Sequence, residues 1–204
     1  MSFRLFGIRF SMSLPLVCVM TAVVLLDTTL SVTVCFVSAV MHELGHLAAI
    51  RAYGSKPEEI RLTLFDIAIK EHGGSIRNDK AQLVIVLAGV CVNYVSAAIS
   101  YVIYLFSGAD IFMLFTQAHL TLGVFNSLPV DSLDGGQAFG ILLSRRFSEE
   151  KAQRILNIAS ALILLPTACA GFYLVLTSAY NFTLLLTSLY LAALILLKNH
   201  KARN

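Results

Sequence analysis

Long apolar stretches constrain this chain more than any other feature of its sequence. Six of them approach the length of about 20 residues that a helix needs to cross a hydrocarbon core about 30 Å thick. They occupy residues 10–26, 31–52, 81–106, 111–130, 155–176 and 182–197. Of all residues, 57% are hydrophobic and only 13% are charged, whereas about 25% of the residues of an ordinary soluble domain are charged. This composition argues against a water-soluble globule and a disordered chain, and it predicts an all-α integral membrane protein, a bundle of six transmembrane helices.

The positions of the basic residues support the six-helix prediction. With six crossings, one side of the membrane receives the N-terminal segment, the loop at 51–80, the loop at 144–154 and the C-terminal segment. These four segments contain all 15 lysines and arginines, and the turns on the opposite side contain none. By the positive-inside rule the side rich in basic residues is cytoplasmic, so we expect both termini in the cytoplasm.

These observations predict the setting of the protein as well as its topology. We expect one polytopic domain over residues 1–204 that crosses a cell membrane several times and has the lipid bilayer as its surroundings. The net charge of only +3 gives no reason to expect a nucleic-acid partner. The basic residues are therefore interpreted as a topological bias.

The second apolar stretch contains the motif that points to chemistry. Residues 42–46 read His-Glu-Leu-Gly-His, so His42 and His46 lie on one face of a helix, where both imidazoles can reach one metal ion. The spacing matches the zincin motif H-E-x-x-H, in which the glutamate, here Glu43, is the general base. A charged side chain at bilayer depth costs about 2.5–3.5 kcal/mol on insertion scales, so such groups normally have a partner and a function. The alternative is a pair of histidines that only hydrogen-bond to neighbouring helices.

A catalytic zinc site usually has three protein ligands, so a third ligand is expected from another helix at similar depth. The candidate segment is 126–136, where Pro129 breaks the fourth apolar stretch and a glycine pair permits close approach of backbones. Broken backbone at membrane depth is found only where it is buried in protein or lines a water-filled cavity. Asp131 and Asp134 both lie in this segment and compete as the third ligand.

Together the two segments resemble the site-2 protease family of intramembrane zinc metalloproteases, peptidase family M50. The family pairs an H-E-x-x-H helix with a later N-x-x-P-x-x-x-x-D-G segment, and both occur here in that order. The residues that match the second segment are Asn126, Pro129, Asp134 and Gly135. The resemblance covers about residues 31–137, and it favours Asp134 over Asp131.

The resemblance implies a zinc-dependent endopeptidase that cuts a peptide bond in or near a transmembrane segment of a membrane-protein substrate. The zinc ligands that it implies, for one ion per chain, are His42, His46 and Asp134. It gives Glu43 the role of general base, and it implies that Asn126, with Pro129 in the same segment, helps to bind the substrate backbone.

Within the family, the six-helix layout is most similar to the group of stage IV sporulation protein FB, and Glu71-His72-Gly73 fits that likeness. The likeness implies regulated intramembrane proteolysis in a bacterial cell membrane, with activation of a sporulation sigma factor or a similar regulator as the outcome. No C-terminal regulatory domain of the kind that members of this group often carry is expected here. The third stretch reads A-G-V-C-V-N over residues 88–93, where the family commonly has A-G-P-x-x-N.

The cytoplasmic loop at 51–80 has its own pattern. Apolar and polar residues alternate over Ile60-Arg61-Leu62-Thr63-Leu64, and residues 67–69 follow a similar alternation. This alternation is typical of strands and predicts a short cytoplasmic β-hairpin-like segment. An open edge could take an unwound substrate as an added strand, and an ordinary surface hairpin is the alternative.

The sequence also contains two weaker candidate residues and leaves two rival functions open. Asn93 is a candidate partner for the second ring nitrogen of a metal-bound histidine. His119 is expected to form a hydrogen bond between helices rather than to bind metal. A metal transporter and a catalytically inactive relative that binds membrane proteins are the alternatives to a protease. A transporter would need polar groups across the outer half of the membrane, where few occur, and an inactive relative would usually lack Glu43 or a ligand.

Overall fold

A computed structural model provides the three-dimensional structure. It describes residues 2–5, 8–12, 27–54, 57–62, 67–71 and 78–177, with the isolated positions 21, 25, 189, 192 and 193. The chain forms two compact units, residues 1–124 and 125–204.

Helices account for most of the described residues. In chain order they are α1 (Ser31–Ala52), α2 (Asp79–Ser107), α3 (Asp110–Asn126), α4 (Asp134–Ser144) and α5 (Glu149–Thr177). Three helical segments in the described part of the chain are long and apolar enough to cross a membrane, namely Ser31–Ala52, Asp79–Ser107 and Glu149–Tyr173. They coincide with the apolar stretches predicted at 31–52, 81–106 and 155–176.

The other three predicted helices have different outcomes. The stretch at 111–130 is helical only as far as Asn126, and the 17 residues of α3 are followed by an irregular segment. The stretch at 182–197 lies outside the described residues, apart from isolated positions. The stretch at 10–26 also lies mostly outside them, but its first three residues form the end of a strand rather than the start of a helix.

Four strands form one sheet in the described part of the first unit. They are β1 (Ser2–Leu5), β2 (Ile8–Met12), β3 (Pro57–Leu62) and β4 (Ile67–Glu71), in the order β1-β2-β3-β4. The pairs β1–β2 and β3–β4 are antiparallel, and β2 pairs with β3 in parallel with Phe10 opposite Ile60. The strands β3 and β4 lie in the loop for which a hairpin-like segment is predicted. The start of the first predicted helix at residue 10 is wrong, because β2 obtains backbone partners from both β1 and β3 at that point.

Much of the surface of the long helices is apolar. On α2, the exposed side chains include Val95, Ile99, Val102, Leu105 and Phe106. A long helix whose exposed side chains are apolar is typical of a membrane span, since hydrocarbon and not water then surrounds it. The exposed faces therefore agree with the composition in placing these helices in a lipid bilayer.

Helices α1 and α2 approach each other closely because small residues meet at their contact. A Cβ atom added at Gly45 of α1 would lie 2.8 Å from Cγ2 of Val92 and 3.0 Å from the carbonyl oxygen of Ala88. It would also lie 3.2 Å from Cα of Gly89, so neither helix has room for a further methyl group at this point. Small residues at the contact are a common means of packing membrane helices.

The start of α1 is held by the side chain of Asp27. One carboxylate oxygen accepts hydrogen bonds from the backbone N–H of Thr33 at 2.8 Å and from its hydroxyl at 3.0 Å. Leu30, which lies between Asp27 and Thr33 and directly precedes α1, has a left-handed backbone conformation with φ of 60°. The carboxylate thus satisfies one of the N–H groups that the first turn of a helix leaves without a partner.

The second unit is organised around the irregular segment between α3 and α4. Val130 is fully buried and packs with Leu133 and with Leu164 of α5. A Cβ atom at Gly136 would contact the carbonyl group of Val130 and would lie 2.8 Å from the backbone nitrogen of Asp131. The absence of a side chain at Gly136 therefore allows the segment after Pro129 to fold back against the first turn of α4.

Candidate metal site

His42 and His46 form the centre of the candidate site. Their Nε2 atoms are 3.1 Å apart, with ring centroids 4.8 Å apart and ring planes at 84° to each other. Two nitrogen ligands at the usual Zn–N distance in a tetrahedral arrangement are about 3.3–3.4 Å apart. The one-turn spacing in α1 thus brings the two imidazoles together at a separation suited to one metal ion, as the motif predicts.

The second ring nitrogen of His46 contacts a backbone carbonyl. Its Nδ1 atom lies 2.8 Å from the carbonyl oxygen of Ile85 in α2. Since a carbonyl oxygen can only accept a hydrogen bond, Nδ1 of His46 carries the proton. In a neutral ring this leaves a lone pair on Nε2, which is the form that binds a metal ion.

The second ring nitrogen of His42 contacts a buried amide. Its Nδ1 atom lies 2.9 Å from Nδ2 of Asn93, and Oδ1 of Asn93 lies 3.1 Å from Nδ1 of His119 in α3. Asn93 is 0% exposed and His119 is 1% exposed. His119 therefore forms the expected hydrogen bond between helices, and Asn93 contacts a predicted ligand.

Gly89 is a functional candidate that lies outside the two sequence motifs. A Cβ atom at this position of α2 would lie 2.7 Å from Cε1 of His42 and 2.9 Å from its Nδ1, and it would contact Nε2 of His46. The absence of a side chain thus provides the space in which the two imidazoles lie. The signal available in the sequence is that Gly89 and Asn93 are four residues apart, so both lie on one face of α2.

The remaining predicted residues are distributed over both units. Glu43 follows His42 in α1 and is half-buried. In the second unit, Asn126 is the last residue of α3, Pro129 lies in the irregular segment, and Asp134 is the first residue of α4. All three are half-buried. A carboxylate in the first turn of a helix is favoured by the helix dipole, which suits the position of Asp134.

Asp131, the competing carboxylate, has a different environment. It is 3% exposed, and its backbone N–H donates a hydrogen bond of 3.0 Å to Oγ of Ser160. Ser160 in turn donates to the carbonyl oxygen of Leu156 at 2.8 Å. These contacts attach the irregular segment to α5, so they give the Asp131 position a structural function.

The donor set suits a transition-metal ion. Imidazole nitrogen is a ligand for zinc, copper, iron and nickel, and the Gly89 position leaves room beside both rings. With its apolar helices and its pair of adjacent imidazoles, the chain has the features of a membrane protein that binds a metal ion within its helices.

Comparisons with known proteins agree with a metal-binding membrane protein. No family model matches the chain. It is 31% identical over 140 residues to a zinc metalloprotease of Methanocaldococcus jannaschii, an alignment that covers 64% of this chain and 39% of that protein. It is 27% identical over 155 residues to stage IV sporulation protein FB of Bacillus subtilis, an alignment that covers 72% of this chain and 52% of that protein. The matched regions thus span about half or less of these relatives.

The fold is that of a site-2 protease. The structure of a site-2 protease from Methanocaldococcus jannaschii aligns with a TM-score of 0.61 at 22% identity, covering 94% of this chain and 92% of the other. The resemblance to the site-2 protease family that the two motifs predict is therefore confirmed by sequence and by fold.

Proposed function

We propose that this chain is a metalloendopeptidase that hydrolyses a peptide bond in or near a transmembrane segment of its substrate. The observation that carries the proposal is the arrangement of His42 and His46, whose Nε2 atoms are 3.1 Å apart while their Nδ1 atoms contact groups of α2. The names of the relatives, a zinc metalloprotease and a site-2 protease, support the same activity.

The proposed site contains one zinc ion per chain. Its proposed ligands are His42, His46 and Asp134. The choice of Asp134 over Asp131 is supported by the N-x-x-P-x-x-x-x-D-G motif and by the position of Asp134 at the start of α4. When bound, zinc supplies Lewis acidity, which activates water near neutral pH and polarises the carbonyl that is to be cleaved.

The proposed roles of the other residues follow from their chemistry. The Glu43 carboxylate accepts a proton from the attacking water and passes it to the leaving amine. The side-chain amide of Asn126 can donate to and accept from the extended backbone of a substrate, with Pro129 in the same segment. A helical substrate has its carbonyl groups in internal hydrogen bonds, so it must unwind locally before it can bind in this way.

The proposed topology has six transmembrane helices in one polytopic domain of a bacterial cell membrane, with both termini in the cytoplasm. Its support is the distribution of all 15 basic residues on one side. With this topology, the strands β3 and β4 are cytoplasmic, where an unwound segment could pair with a free edge of the sheet. The similarity to a sporulation protein supports regulated intramembrane proteolysis as the process.

The proposal is tested by the zinc content and the activity of the purified full chain. We expect one zinc ion per wild-type chain, loss of zinc in His46→Ala and Asp134→Ala, and retention in Glu43→Gln without proteolysis of a membrane-protein substrate. Asp131→Asn is the matched control for Asp134→Ala and should retain zinc. A wild-type protein that is folded but binds no zinc after metal supplementation would refute the ligand assignment and favour an inactive binding protein. Zinc flux in proteoliposomes would favour a transporter.

A further inference from the structure

A continuous chain of buried and partly buried polar contacts leads from α3 through α2 to the candidate ligands on α1. In order, it joins Nδ1 of His119 to Oδ1 of Asn93 at 3.1 Å, and Nδ2 of Asn93 to Nδ1 of His42 at 2.9 Å. It continues from Nε2 of His42 to Nε2 of His46 at 3.1 Å and ends at the carbonyl oxygen of Ile85, 2.8 Å from Nδ1 of His46. We name these four contacts the polar chain.

The carbonyl group at one end fixes the direction of every hydrogen bond in the polar chain. Nδ1 of His46 must donate to Ile85, so Nε2 of a neutral His46 ring is an acceptor. A hydrogen bond between the two Nε2 atoms therefore requires the proton on Nε2 of His42, which makes Nδ1 of His42 an acceptor for the Asn93 NH2 group. The Asn93 oxygen then accepts from Nδ1 of His119, and each donor has an acceptor.

This arrangement keeps a proton on the His42 nitrogen that would bind a metal ion. To free Nε2, His42 must carry its proton on Nδ1, and Asn93 must then present its oxygen to His42. With the amide turned over in this way, its NH2 group faces His119, whose Nδ1 must become an acceptor with the proton on Nε2. Each imidazole keeps one proton, so the two tautomers change together without a change in charge.

We propose that Asn93 and His119 are positioning residues that set the tautomer of His42, and that metal binding reverses the direction of hydrogen bonding between His119 and His42. The proposal rests on the proposed function in that it takes His42 as a metal ligand. Its structural basis is the near-complete burial of Asn93 and His119, because buried amide and imidazole groups need partners for their polar atoms.

The first test is zinc affinity, measured by competition with a chelator on the purified full chain in detergent. Asn93→Leu should weaken zinc binding about 10- to 100-fold, the usual effect of removing the partner of a ligating histidine, and His119→Leu about tenfold. The double variant should bind no more weakly than Asn93→Leu alone, because His119 acts through Asn93. Asn93→Asp should retain affinity, since a carboxylate accepts from both Nδ1 atoms.

Two further variants separate positioning from loss of structure. His119→Asn places an amide near the former Nδ1 position and should restore affinity relative to His119→Leu. Thr116→Val is the matched control on α3, because the Thr116 hydroxyl donates to Phe112 of its own helix at 2.8 Å and lies outside the polar chain. It should bind zinc as the wild type does.

The second test needs no variant. Nitrogen-15 NMR of histidine-labelled wild type should show the proton of His119 on Nδ1 without zinc and on Nε2 with zinc, with the opposite change at His42. An unchanged His119 tautomer, or folded His119→Leu with wild-type affinity, would overturn this inference and leave the proposed function intact. A folded wild type that binds no zinc would overturn both.

Discussion

Adding one methyl group at Gly89 tests the metal site with a very small change to the chain. A Cβ atom there would lie 2.7 Å from Cε1 of His42 and 2.9 Å from its Nδ1, and it would contact Nε2 of His46. Non-bonded carbon atoms are at their optimal separation at about 3.5–4.0 Å, so the imidazoles or the two helices must move by about 1 Å. The two helices are also in close contact at Gly45, so a small shift of one helix cannot relieve the new contact without disturbing the contact at Gly45.

The expected magnitude follows from the cost of overpacking. Inserting a methyl group into a well-packed site costs about 1–3 kcal/mol. If the imidazoles move to relieve the contact, zinc binding should weaken by about 5- to 150-fold, since each 1.4 kcal/mol is a factor of ten. If the helices separate instead, the same free energy is lost from stability and zinc affinity changes less.

The assay for Gly89→Ala combines chelator competition for zinc with thermal unfolding in detergent. Gly140→Ala is the control, because its Cβ atom would make an ordinary contact of 3.4 Å with Leu156. We expect the control to match the wild type in zinc affinity. Wild-type zinc affinity and stability in Gly89→Ala would show that the space beside the imidazoles is not needed, and would refute the reasoning.

Three further predictions concern the framework of the site. The backbone N–H of Thr33 is the main cause of the lowered pKa of Asp27. The ionised carboxylate therefore stabilises α1 at any pH above the pKa that Asp27 has in the unfolded chain. This stabilisation is lost as the pH falls through the lower pKa of the folded state. Amide hydrogen exchange at Thr33 should accelerate on acidification below about pH 4, and Asp27→Asn should remove this pH dependence. A wild-type exchange rate that does not depend on pH, after correction for intrinsic rates, would contradict the prediction. Gly136→Ala should lower the free energy of unfolding by about 3 kcal/mol or more, because backbone atoms rather than a flexible side chain oppose the new methyl group. A thermal midpoint equal to that of Gly140→Ala would disprove this. Ser160→Ala should cost about 1–3 kcal/mol in denaturant unfolding, because it removes the acceptor of the Asp131 N–H, and an unchanged midpoint would count against that contact.

The parts of the fold that could be predicted from the sequence are those decided by local pattern. The helix over 31–52 has the predicted bounds because its length and apolar character are properties of consecutive residues. The strand at 8–12 was missed because it lies between two partners, β1 just before it and β3 about 50 residues later, and the pairing with β3 has no local signal. The fourth predicted helix, 111–130, ends early for a local reason, since Pro129 follows the end of α3 at Asn126 within three residues.

The same distinction applies to the candidate site. The proximity of His42 and His46 follows from helical spacing and is predicted from five consecutive residues. The contacts of Asn93 and Gly89 depend on which faces of α1 and α2 meet, and the sequence contains only their four-residue separation as a signal. His119 could be predicted to bond another helix, but its partner could not be identified without the packing of α2 against α3.

The contact of Gly45 with α2 also restricts the route by which a polypeptide could reach the two histidines. Gly45 faces backbone atoms of Ala88 and Gly89 as well as the Val92 side chain, so rotating a side chain alone cannot open a passage there. It would require the whole of α1 to move away from α2, which would also break the contact of His46 with Ile85. The contact between α1 and α2 therefore offers no route to the histidines, and an incoming polypeptide has to enter past other elements.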